Sequence, residues 1–197
     1  MNRIKTKNLT LLSLFIAIEI LMVSIPFLGF IPIGPLRATT LHIPVIIAGI
    51  VLGKEKGAII GFVFGLSSLI VNTISPSAIS FVFSPFISGS FLSVILAIIP
   101  RICIGYISGL IYDLLKKKWD FLSMIIASFM GSLTNTIMIM SGIYFMFGEA
   151  YAKVMGQSMD GLLPYILGII TTQGLLEAIV GCVISFMVCK VLIKVVK

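Results

Sequence analysis

The chain alternates long apolar runs with short polar or basic breaks. Six runs stand out, at 9–28, 41–53, 57–72, 90–115, 120–147 and 162–190. An α-helix rises ~1.5 Å per residue and the hydrocarbon layer of a bilayer is ~30 Å thick, so about twenty residues cross it. The pattern predicts an all-α integral membrane protein, a bundle of six transmembrane helices. The second and third runs are short by that measure. Each either extends into its flanks, or the stretch 41–71 makes one re-entrant hairpin and leaves four full spans.

The basic residues favour six crossings. With the N-terminus cytoplasmic, the inner segments hold Arg3, Lys5, Lys7, Lys54, Lys56, Lys116, Lys117, Lys118, Lys190, Lys194 and Lys197, eleven of the fourteen lysines and arginines. Arg37 and Lys153 fall outside and Arg101 falls within a span. This is the asymmetry of the positive-inside rule, and it places both termini in the cytoplasm. A four-span arrangement keeps Lys54 and Lys56 on the same side but accounts less well for the apolar lengths.

Composition points the same way. Hydrophobic residues make up 59% and charged residues 11%, against about 25% charged in a soluble domain. The chain therefore reads as a single transmembrane domain over 1–197. Its net charge of +7 does not indicate nucleic acid, because the basic residues flank apolar runs instead of sharing one soluble face; contact with lipid headgroups accounts for them. The first run is too long for a signal core, and residues 29–35 lack a small-residue cleavage site, so it is retained as the first helix. Cys103, Cys182 and Cys189 have no metal-ligand spacing.

Enzyme motifs are missing. The segment GIVLGKE at 49–55 has the outline of a phosphate-binding loop but lacks one residue of spacing and the Ser or Thr after the lysine. His42, the single histidine, lies beside Pro44 and reads as structural. No catalytic residue, metal site or cofactor is expected in this chain, and any ATP must be hydrolysed by partner ATPases.

What remains is a set of polar residues inside lipid, where each needs a partner or a role. Glu19 lies in the first span, Arg101 in the fourth and Glu177 in the sixth, with Asn72, Asn135 and Gln173 as neutral hydrogen-bonding groups. Counting ~1.5 Å per residue puts Arg101 near mid-membrane, Asn135 and Gln173 in the outer half and Glu177 slightly deeper, so three helices can converge on one chamber that opens outward. Gln173 and Glu177 are four apart and share a face. Pro100 cannot donate to the Leu96 carbonyl, which loosens the helix beside Arg101. Arg101 either holds an anionic ligand group or pairs with Glu177 to lock helices together. Arg37, Asn72, Arg101, Asn135, Gln173 and Glu177 are the candidate ligand-binding residues.

The outer loops add to this. The segment 29–41, GFIPIGPLRATTL, is too rich in Gly and Pro for helix throughout yet apolar enough to fold back over the bundle. The segment 72–89, NTISPSAISFVFSPFISG, has no charge and suits a lid over a small-molecule site, with Phe81, Phe83 and Pro85 as its apolar contacts. A re-entrant or interfacial connector is the plainer alternative. Small residues at four-residue spacing mark close helix contacts: Gly57, Gly61 and Gly65 for internal packing, and Ser13 with Ala17 for either the bundle or a partner chain.

The run 37–69, RATTLHIPVIIAGIVLGKEKGAIIGFVFGLSSL, followed in order by SFVFSPF at 80–86, PRICIG at 100–105, GSLTNT at 131–136 and GIYFMFGEAYA at 142–152, resembles the substrate-binding components of energy-coupling-factor transporters. The resemblance covers nearly the whole chain. It implies a six-helix subunit of the bacterial cell membrane that binds a vitamin from outside and docks on one transmembrane coupling protein and two ATPases. In that family a small-xxx-small motif on the first helix, usually two alanines, meets the coupling protein; here Ser13 takes the first position and Ala17 the second. Release is expected by toppling in the membrane, and no inverted repeat is visible. Within the family the likeness is greatest to pantothenate components, whose carboxylate ligand would suit Arg37 or Arg101; hydroxymethylpyrimidine, pyridoxine-type, folate and cobalamin carriers share much of the pattern. Readings of other classes are a small intramembrane enzyme built on Glu19, His42, Arg101 and Glu177, and a channel or membrane scaffold.

Overall fold

A computed structural model describes residues 3–25, 29–33 and 36–196, with side chains at 6–25, 29 and 39–196. The chain forms helix α1 (Arg3–Ser24), strands β1 (Phe30–Ile33) and β2 (Leu36–Thr39), and helices α2 (Ile43–Leu52) and α3 (Lys54–Ile74). A 3₁₀ turn (Ser80–Val82) and a short helix α4 (Pro85–Ser88) precede α5 (Leu92–Leu115) and α6 (Asp120–Met155). Helix α7 (Met159–Ile169) runs through a π-turn (Ile170–Gly174) into α8 (Leu175–Val196).

Among the described residues, five helical stretches are long and apolar enough to cross a membrane: Thr6–Ser24, Lys54–Ile74, Leu92–Leu115, Asp120–Met155 and Met159–Val196. The chain is thus a helical membrane protein. Helix α3 has 21 residues, about 32 Å, which sets aside a re-entrant 41–71. Helix α2 has only 10, about 15 Å, half the hydrocarbon layer. Its sequence IPVIIAGIVL has no polar face, and it is buried from Ile43 to Val51, packed on α1, α3, α5, α6 and α8, as an all-apolar helix requires.

Gly53 joins α2 to α3 at φ +97°, a value that suits glycine alone. The two helices can fold back on one residue because Gly49 and Gly57 then meet backbone to backbone. The predicted glycine stripe packs α3 on α5: Gly57 lies on Gly105, Gly61 on the Arg101 carbonyl and Gly65 on Ala97 and Ile98, all without room for a β-carbon. Helix α6 passes position 147, where the apolar run ends, by kinking at Phe147 (φ −134°, ψ 16°).

One element is not helical. Strands β1 and β2 form an antiparallel hairpin in which Phe30 pairs with Thr39 and Ile33 with Leu36, closed below by a bond from Thr40 N–H to the Gly29 carbonyl (2.9 Å). Helical periodicity cannot reveal it; Pro32 excludes helix, and a two-stranded ribbon has only edge strands, where a missing N–H is tolerated.

A polar layer between two apolar cores

The buried apolar residues divide into two clusters. One holds all of α2 with Phe15, Ile60, Phe64, Ile104, Tyr112, Met124, Ala127 and Cys189; the other holds Val82, Leu96, Ile139, Ile143, Phe147, Tyr151, Leu162 and Ile166. The first lies toward the end of the bundle that carries Lys7, Lys54, Lys116 and Lys190, the second toward the opposite loops. On α5, α6 and the last helix, the stretch between the clusters carries the polar residues of the bundle interior. On α5 it is Arg101, between Leu96 and Ile104. On α6 they are Ser128, Ser132, Asn135 and Thr136, between Ala127 and Ile139. On the last helix they are Gln173 and Glu177, between Ile166 and Cys189, while Thr171 and Thr172 beside them are exposed. Helix α2 starts within this layer at His42, because it is only half a span long.

Arg101 is 5% exposed. Its guanidinium stands between one ring from each cluster, 4.8 Å from the Phe83 centroid and 5.5 Å from that of Phe64, at distances where a cation is attracted to the ring faces. Nη1 donates to the Leu96 carbonyl (2.9 Å), and Nε is buried without a hydrogen-bond partner. The alternative pairing of Arg101 with Glu177 does not form: among the described residues the ion pair is Lys116 with Asp113, at the basic end.

Glu177, 7% exposed, instead accepts the Thr39 backbone N–H (2.9 Å) and Gln173 Nε2 (3.3 Å). It pins β2 to the last helix, so the hairpin ends over the polar layer. Gln173 lies in the π-turn. Thr171 and Thr172 there donate their hydroxyls to the Leu167 and Gly168 carbonyls (2.9 and 2.7 Å), competing with backbone N–H groups and widening the helix locally. Gly174 closes against Thr136 of α6: a β-carbon on it would come within 2.6 Å of Thr136 Cγ2. Asn135, one residue earlier, has a buried Oδ1 without a partner.

Of the six candidate residues, the structure therefore bonds Gln173 to Glu177, brings Asn135 to the same level, and holds Arg101 in that layer under the loop. Asn72 serves the loop itself: Nδ2 donates to the Ser68 carbonyl (2.8 Å) and Oδ1 accepts from Ser80 Oγ (2.7 Å). Arg37 is in β2, and its side chain lies outside the described residues. The segment expected to be a lid is anchored by hydroxyls, Thr73 to Ser84 (2.7 Å), Ser88 to Ser93 (2.6 Å) and Ser93 to the Phe81 carbonyl (2.8 Å). Phe81 meets Phe147 edge to face (6.0 Å), Phe83 covers Arg101, and Pro85 opens α4. A separate open groove of about 460 Å³ at the α6 kink, between Tyr144 and Met159, lies outside the polar layer.

Sequence reasoning missed Ser132, whose Oγ meets His42 Nε2 at 2.9 Å, while the ring's Nδ1 is buried without a partner. It also missed Thr39, a backbone donor with no sequence signal. Glu19 is fully buried with neither oxygen partnered, and nothing in the structure explains it. Ser13 and Ala17 are exposed on α1, so the small-residue stripe points away from the bundle.

Known proteins resemble this chain over nearly its full length. The chain is 32% identical over 202 residues to the pantothenic acid transporter PanT of Lactococcus lactis subsp. cremoris, covering 98% of this chain and 97% of that one. It is 30% identical over 204 residues to the pantothenate transporter PanT of Leuconostoc mesenteroides subsp. mesenteroides, covering 99% and 96%. Residues 7–189 match the family described as ECF transporter, substrate-specific component. That match takes in more than nine-tenths of the chain, and the chain belongs to the substrate-specific components of ECF transporters.

Proposed function

We propose that the chain captures pantothenate from outside a bacterial cell and delivers it by docking on the ATP-driven module of an ECF transporter. The observation that carries the reading is the guanidinium of Arg101, buried mid-bundle between two aromatic rings with Nε unpartnered. A buried cation with no ion-pair partner among the described residues suits an anionic ligand group, since it gains a charge-assisted partner in a site of low dielectric. Pantothenate offers a carboxylate for Arg101 and an amide and hydroxyls for Asn135 and Gln173. The names of two relatives at 30% and 32% identity over nearly the full chain support the same vitamin.

In this reading the chain passes the membrane six times with both termini cytoplasmic, the second passage being made by the hairpin together with α2. Hairpin and loop close the outer side of the polar layer. The exposed Ser13 and Ala17 of α1 meet the transmembrane coupling subunit, which close backbone approach permits, and two partner ATPases hydrolyse the ATP.

The test is a thermal-shift panel of water-soluble vitamins on the detergent-solubilised chain, since a ligand that binds only the folded state raises its melting temperature. Pantothenate alone should shift it. A shift with a different vitamin would overturn the substrate assignment, and no shift in folded protein would overturn the binding role.

A further inference from the structure

We infer that Pro100 is a positioning residue for the guanidinium of Arg101: by removing one backbone N–H it leaves the Leu96 carbonyl as a resident acceptor that aims Arg101 into the polar layer. The inference rests on the reading that Arg101 receives the ligand's carboxylate.

In a regular α-helix the N–H of residue 100 would bond the carbonyl of residue 96, and proline has none to give. Leu96 is 2% exposed, so its carbonyl must find another donor within the protein. Side chains on a helix lean toward its N-terminus. The side chain following the proline is thus directed back over the turn that the proline has opened, and Arg101 Nη1 donates to Leu96 O at 2.9 Å.

Two further elements complete the mount. Gly61 of α3 lies directly against the Arg101 carbonyl, so the backbone of Arg101 is held where it is. The ring of Phe83, brought in by the loop, covers the guanidinium. A long flexible side chain is therefore fixed at its root, at one terminal nitrogen and on its face, while Nε is left without a protein partner. Such pre-organisation lowers the ordering cost of binding, which is where affinity is gained.

A merely structural proline makes a different prediction. Pro100→Ala restores the missing donor and is a better helix former, so on either view the variant should fold and melt no lower than the parent. If Pro100 only bends the helix, ligand affinity stays unchanged. If it positions Arg101, the new N–H competes for Leu96 O, the guanidinium loses its mount, and pantothenate affinity falls roughly tenfold, the weight of one charge-assisted hydrogen bond.

The readout that separates the two is calorimetric titration of the full-length chain with pantothenate and with its alcohol analogue, in which a hydroxymethyl group replaces the carboxylate. The expected result is a loss with Pro100→Ala for the acid and little change for the alcohol, with Phe83→Leu giving a smaller loss of the same kind. Equal losses for acid and alcohol, or none for the acid, would overturn the inference. Arg101→Met guards the underlying reading: if it leaves pantothenate affinity intact, Arg101 does not bind the carboxylate, and that reading and the inference fail together. If Arg101→Met weakens binding and Pro100→Ala does not, only the inference falls.

Discussion

Replacing Glu177 by alanine should speed the escape of bound vitamin without unfolding the protein. The carboxylate accepts the Thr39 N–H at 2.9 Å and Gln173 Nε2 at 3.3 Å, and the first of these is a link between the hairpin and the last helix. The second is longer than the usual N–H···O range and adds little. A single buried hydrogen bond of this kind contributes about 1 to 3 kcal/mol net, depending on the charge of the acceptor, which corresponds to roughly five- to 150-fold in an equilibrium constant. If the hairpin lies over the bound ligand, that factor should appear mainly in the dissociation rate, as most affinity changes within one complex do. Release of radiolabelled pantothenate into unlabelled excess measures it. Glu177→Gln keeps an acceptor oxygen for Thr39 and should stay within a few-fold of the parent. A folded Glu177→Ala protein that releases ligand as slowly as the parent would refute the idea that this contact holds the hairpin over the site.

Two other outcomes follow from the packing. Gly61→Ala drives a β-carbon into the Arg101 carbonyl, where neither backbone can yield, so it should destabilise by about 1–3 kcal/mol and lower both the melting temperature and ligand affinity; an unchanged melting temperature would mean that α3 and α5 are less tightly apposed than described. Ser13→Leu with Ala17→Leu enlarges the exposed face of α1 without touching the core, so vitamin binding by the isolated subunit should persist while uptake into vesicles containing the complete transporter is lost; normal uptake would place docking elsewhere.

How much of this was legible without the structure depends on how local the physics is. The lengths of α1 and α5 follow from counting apolar residues, because crossing a bilayer is a one-dimensional requirement, whereas α3 (Lys54–Ile74) exceeds its apolar run of 57–72 by taking in the polar residues at its first turn. The open carbonyl of Leu96 could be read from Pro100, because the α-helical hydrogen bond joins residues four apart. The stripe of Gly57, Gly61 and Gly65 named a close contact but not the partner, which proved to be α5. The hairpin was legible only as a stretch that cannot be helix, and the π-turn at Ile170–Gly174 was not anticipated at all, since Thr171 and Thr172 are compatible with an ordinary helix in lipid.

The sequence by itself determined that this is a helical membrane protein and which residues are out of place in lipid. Tertiary structure alone decided their partners. Counted along their helices, Arg101 and Glu177 come to similar depth with opposite formal charge, and a linear reading allows them to pair. In the fold the guanidinium is taken by Leu96, Phe64 and Phe83, and the carboxylate by Thr39, 138 residues away in the chain. Depth is a sum along one helix. Pairing depends on the rotation and apposition of several helices, which are set by glycine contacts and by a half-length α2, and no single segment encodes them.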